Sequence, residues 1–70
     1  MTKLPISERI KEIRTEANLT QSRMGELLLV SQDTISLWEN GKSYPNTEQI
    51  YLICKTFKIS ADYLLGLTDY

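Results

Sequence analysis

The chain has 70 residues, 41% of them hydrophobic, with a formal net charge of −1, no histidine and one cysteine. So short a chain makes one domain, near the lower limit at which an apolar core alone holds a fold, and a compact helical bundle is the economical solution. The missing histidine excludes Cys/His zinc sites, Ser-His-Asp triads and Cys-His nucleophilic pairs together, so no enzyme, cofactor or small-molecule substrate is expected.

The longest apolar runs, Leu27 to Val30 and Ile50 to Cys54, fall far short of the roughly 20 residues that a bilayer crossing needs. The opening stretch from Met1 to Ser7 has no apolar segment of the length a secretory signal requires, and a lone cysteine closes no internal disulfide. No membrane association is expected, and the cytoplasm is the default compartment.

Cap residues and apolar spacing divide the chain into five helices. Ser7 is read as the cap of a first helix over about 7–17, with Ile6, Ile10, Ile13 and Ala17 on its apolar side and Asn18 as a left-handed stop. Glu8, Glu12 and Glu16 repeat at the spacing of one helical face and read as a solvated stripe. Thr20 opens a second helix over 21–28, with Leu19 stapled to Met24. Ser31 opens a third over 32–40, which stops at Gly41, with Val30 stapled to Ile35. Asn46 and Gln49 form a capping-box pattern for a fourth over 47–57, whose inner face is Ile50, Ile53, Cys54 and Phe57. Cys54 reads as a small buried hydrophobe. Ser60 caps a last helix over 61–65, Ile59 staples to Leu64, and Gly66 ends it. No stretch alternates with a period of two, so an all-α fold is expected.

Helices two and three are joined by a turn of about three residues, and the second of them is polar on one face. That arrangement fits a reading helix into a major groove of DNA. With Ile35 and Trp38 packed inward, steps of 100° place Asp33, Ser36, Leu37 and Asn40 on the outer side and Gln32 at its leading flank. Glutamine can pair bidentately with adenine, and an exposed leucine offers apolar contact to a thymine methyl group. Free N–H groups under Thr20 and Ser31 suit phosphate oxygens, Gln21 can donate beside them, and Lys42 and Ser43 extend the same face.

The stretches Leu19-Thr20-Gln21, Val30-Ser31, Thr34-Ile35-Ser36, Glu39-Asn40-Gly41-Lys42 with Pro45, and Ile59-Ser60 through Asp62-Tyr63-Leu64-Leu65 resemble the lambda-repressor-like family. This XRE-type helix-turn-helix group includes Cro, phage repressors and many bacterial regulators, and the resemblance covers about 6–65. It implies a compact five-helix DNA-binding domain and a transcriptional regulator, chiefly a repressor, reading duplex DNA. It also implies that Gln21 and Gln32 contact phosphate and base and brace each other, that Asp33, Ser36 and Leu37 face bases, and that Asn40 and Lys42 touch phosphates; Thr34 is expected to join them at a phosphate. Arg14 is implied to pair with Glu39.

Three departures stand out. Leu29 and Lys58 occupy positions where the family usually has glycine, and a left-handed backbone at Leu29 would carry strain of order 1 kcal/mol. Gly25 stands where alanine is usual. Asp33 faces the groove as an acid, either accepting from a cytosine amino group or favouring the helix N-terminus through its dipole.

The acidic balance runs against the basic footprint usual in DNA binders, although Lys11, Arg14, Arg23 and Lys42 lie in the first 42 residues and Asp62 and Asp69 in the tail. Tyr63, Leu67 and Tyr70 exceed what a small core can bury and suggest a two-fold homodimer on DNA. The second reading is an antitoxin-like or adaptor module that uses the same fold to hold a protein partner.

Overall fold

The computed structural model describes residues 3–70; Met1 and Thr2, which begin the stretch read against a secretory signal, lie outside them. Among the described residues there are five helices and no strand: α1 Pro5–Glu16, α2 Gln21–Leu28, α3 Gln32–Glu39, α4 Thr47–Phe57 and α5 Ala61–Leu64. No helix among them is long and apolar enough to cross a membrane.

Four of the five starts are fixed by a short polar side chain that accepts one of the N–H groups a helix leaves unpaired. Thr20 Oγ1 accepts from the Arg23 N–H at 3.0 Å, Ser31 Oγ from Thr34 at 3.1 Å and Ser60 Oγ from Tyr63 at 3.0 Å. Asn46 and Gln49 complete a reciprocal capping box, with both bonds at 2.8 Å.

The first helix departs from the sequence reading. It begins at Pro5 with Leu4 as its cap and no side-chain cap bond, because proline at the first position supplies a helical φ and lacks the N–H that would need a partner. Ser7 is therefore not a cap. It lies inside the first turn, fully buried, and its hydroxyl has no hydrogen-bond partner among the described residues. Ala17 is exposed at the other end rather than on the apolar side. Asn18 makes the left-handed stop at φ 58°. The third and fifth helices end one residue earlier than read, at Glu39 and Leu64, with Gly41 and Gly66 left-handed just beyond them.

The principal contacts run α1 to α3, α3 to α2, α2 to α4, α4 to α5 and α5 back to α1, a closed ring around one core. Ile6, Ile10 and Ile13 of α1 meet Met24 and Leu28 of α2, Ile35 and Trp38 of α3, Ile53 of α4 and Leu64 of α5. Trp38 is thus core. On α4 only Ile53 is fully buried; Ile50, Cys54 and Phe57 are half-buried against the cluster. Burial pushes the Cys54 thiol pKa up, which keeps it in the unreactive protonated form at neutral pH.

The corner between α2 and α3 needs two special residues. A Cβ on Gly25 would stand 2.6 Å from the Val30 carbonyl oxygen, so glycine there lets the two helices approach. Leu29 takes the left-handed conformation at φ 61°, ψ 37° with its side chain 84% exposed. The side chain recovers little burial energy to offset the strain. Leu29→Gly should therefore stabilise the fold by about 1 kcal/mol and raise Tm by roughly 5 °C. Calorimetry or urea unfolding reads the change; an unchanged or lower Tm would show that the turn is not strained.

Candidate nucleic-acid interface

The third helix is held by its inner face and free on its outer one. Ile35, Trp38 and Glu39 are buried, whereas Gln32, Asp33, Leu37 and Asn40 are exposed and Ser36 is partly exposed. The side chains of Gln32 and Asp33 make no hydrogen bond to the described residues, and Leu37 keeps 43% of its surface. These five positions form one row, and the other described residues do not cover it. Asn40 is partly engaged: its Nδ2 turns back to the Ser36 carbonyl at 2.8 Å, leaving its oxygen outward.

Around this row lie the groups expected to meet phosphate. Thr20 and Ser31 spend their side-chain oxygens on capping, and Ser31 Oγ and Thr34 Oγ1 lie 3.0 Å apart. The remaining first-turn N–H groups of α2 and α3 are the available donors. Lys42 is exposed and Ser43 half-exposed just past the end of α3. Their backbone N–H groups both point to the Leu37 carbonyl, at 3.0 and 3.4 Å, which folds this loop against the helix end.

The support beneath the face is a buried ion pair. Arg14 Nε and Nη2 donate to Glu39 Oε2 and Oε1 at 2.7 and 3.1 Å, with side chains 15% and 5% exposed. The hydrogen bond to Glu39 raises the Arg14 pKa, against the opposing effect of burial, so the guanidinium is charged throughout the ordinary pH range. Arg14 Nη1 also reaches the Leu19 carbonyl at 3.0 Å. The expected pairing of Arg14 with Glu39 is present.

The expected brace between Gln21 and Gln32 is not: no hydrogen bond joins them among the described residues, and Gln21 Nε2 instead donates to Glu39 Oε1 at 3.3 Å. Two further contacts escaped the sequence reading. Lys3 Nζ lies 3.4 Å from the Glu39 carbonyl, and the Tyr44 hydroxyl accepts from the Leu4 N–H at 3.3 Å. Together they tie the segment before α1 to the end of α3 and its loop. No sequence signal marks either, since each spans about 40 positions.

Leu67 and Tyr70 are exposed by 74% and 93%. Tyr63 differs from the sequence reading. It is half-buried against the core, with the Arg9 guanidinium 4.5 Å above its ring, so the core accommodates it after all.

The helix-turn-helix family matches residues 10–64. The chain is 44% identical over 63 residues to the HTH-type transcriptional activator BcrR of Enterococcus faecalis, covering 90% of this chain and 31% of that protein. It is 35% identical over 60 residues to the repressor protein C2 of Salmonella phage P22, covering 86% and 28%, and 34% identical over 61 residues to the antitoxin PezA of Streptococcus pneumoniae, covering 87% and 39%. The chain thus spans about a third of the length of these curated relatives. The crystal structure of the P22 c2 repressor in complex with a synthetic operator superposes with a TM-score of 0.81 at 36% identity, covering 91% of this chain and 96% of that one.

Glu39→Ala should cost about 3 kcal/mol, because it leaves a desolvated guanidinium without its partner. That is most of the stability a core of this size supplies. Urea unfolding followed by circular dichroism should show the midpoint collapsing; a loss under 1 kcal/mol would mean that the pair is not structurally required.

Proposed function

Because this chain belongs to the helix-turn-helix family and has the phage-repressor DNA-binding fold, we propose that it binds double-stranded DNA sequence-specifically as a transcriptional regulator, with α3 in the major groove. The observation that carries this is the uncovered row on α3, whose inner face is locked by Ile35, Trp38 and Glu39. In this reading Gln32, Asp33, Ser36 and Leu37 meet base edges. Phosphates are met by the first-turn N–H groups above Thr20 and Ser31 and by Gln21, Thr34, Asn40, Lys42 and Ser43. Repression by occupying promoter DNA in the cytoplasm is the mode we assign, the role that the name of the P22 relative carries. The Enterococcus faecalis relative is named an activator, and either mode requires the same contact.

Electrostatics make this binding depend on specific contacts. Arg14 is committed to Glu39 and Arg23 pairs with Glu26 at 3.0 Å, which leaves Lys42 as the exposed cation beside the row without an ion pair among the described residues. One or two phosphates neutralised per copy correspond to a log–log salt slope of about −1 to −2 per copy.

The longest extent of the domain is 29 Å, and it carries one reading helix, whereas successive major grooves on one side of duplex DNA lie about 34 Å apart. Two copies are therefore needed to read a roughly palindromic operator. We assign the contact between them to Leu67 and Tyr70, with Tyr63 beneath as support.

Selection from random duplexes followed by sequencing should return a two-fold-related motif. Gln32→Ala and Leu37→Ala should alter individual positions of that motif, each worth about 1–3 kcal/mol, while Lys42→Ala should weaken all duplexes alike. Failure to enrich any motif, with capture of a protein partner instead, would favour the antitoxin-like reading that the Streptococcus pneumoniae relative supports.

Sedimentation on the selected duplex should show two copies of the native chain and one of Leu67→Glu. Two copies of the variant would move the dimer contact elsewhere.

A further inference from the structure

We propose that Glu39 is a positioning residue for DNA: its buried carboxylate holds the Gln21 side-chain amide so that Gln21 presents a fixed donor to a backbone phosphate. The inference rests on the DNA-binding reading above and assigns Glu39 a task beyond pairing with Arg14. Three elements meet at this carboxylate. Glu39 is the last residue of α3 and Gln21 the first of α2, and Arg14 of α1 joins Glu39 to the Leu19 carbonyl just before α2.

The amide orientation follows from chemistry. An ionised carboxylate has only acceptors, so it takes the Gln21 nitrogen, at 3.3 Å, and repels the amide oxygen. One Nε2 proton is spent on Glu39 Oε1. The second stays available on a residue that is only partly buried, the first of α2. A free glutamine loses rotamer freedom when it is ordered by its ligand; here the bond to Glu39 has already restricted it. Because Glu39 belongs to α3, the same bond also sets Gln21 in register with the row that reads bases.

The test separates positioning from folding. Replacing both members of the buried pair by apolar side chains of similar length, Arg14→Met with Glu39→Met, keeps such sites folded while removing the anchor of Gln21. On the duplex recovered by selection, Gln21→Ala should weaken binding about tenfold in the native chain, the scale of a hydrogen bond to a charged group. It should cost under threefold in the paired-Met background, which itself binds several-fold more weakly than the native chain. An equal tenfold cost in both backgrounds, with a folded paired-Met protein, would overturn the proposal and leave the DNA reading intact.

A second measurement needs no variant of the pair. In the native chain without DNA, one Gln21 Nε2 proton should resonate downfield of the corresponding Gln32 protons and exchange more slowly. Coincident Gln21 and Gln32 signals would also overturn the proposal. If the Gln21 signature is present and no duplex is retained at any sequence, the DNA reading fails and takes this role of Glu39 with it.

Discussion

The structure depends on one carboxylate placed where water cannot reach it. Glu39 keeps only 5% of its side-chain surface, and a buried charge without partners costs several kcal/mol, comparable to the whole stability of a domain this small. That penalty is met by a bidentate guanidinium from α1 and an amide from the start of α2. Burial therefore works as an instruction: α1, α2 and α3 must assemble in one arrangement or leave the charge unpaired. An apolar contact at the same place would tolerate a slide of an ångström, whereas a two-pronged hydrogen-bonded pair does not.

The corner between α2 and α3 shows a second constraint, this one steric. Gly25 removes the only atom that would collide with the Val30 carbonyl, and the chain then turns through a left-handed residue at Leu29. The usual alanine and glycine of the family are exchanged in size at these two positions: the smaller residue sits at the helix crossing and the larger on the turn. Close approach at the crossing is thus secured, while the strain is moved to a side chain that points into solvent.

Much of this was legible in the sequence because it is local. Thr20, Ser31, Asn46 and Ser60 each cap the helix they announce, since the cap bond spans only three residues and competes with nothing distant. The exposed row on α3 was legible for the same reason, being a consequence of 100° steps from Ile35 and Trp38. Ser7 misled because two start signals overlap. Pro5 begins the helix first, and Ser7, one position after the buried Ile6, is drawn into the interior with an unpartnered hydroxyl. Tyr63 misled because its burial is completed by Arg9, 54 positions away, which also reaches the Thr68 carbonyl at 3.2 Å. The Gln21 to Glu39 bond was hidden too, since its partners lie 18 positions apart and glutamine at a helix start has no local reason to seek a distant acid.

Charge balance connects these observations to recognition. Lys3, Arg9, Arg14 and Arg23 each lie within 4 Å of an acid of the same chain, so on the proposed DNA-binding reading a protein of net charge −1 would offer a duplex little general attraction. A strongly basic face would hold any duplex through its phosphates and dilute the contribution of base contacts to the total. With half of the eight lysines and arginines paired in this way, neutral donors would, on the proposed DNA-binding reading, carry proportionally more of the contact: backbone N–H groups, the Gln21 and Gln32 amides and the Ser36 hydroxyl. Neutral hydrogen bonds are short-ranged and directional, so their value depends on how firmly their carriers are placed. A weakly charged face therefore needs a rigid one, and the Glu39 network beneath α3 supplies that rigidity.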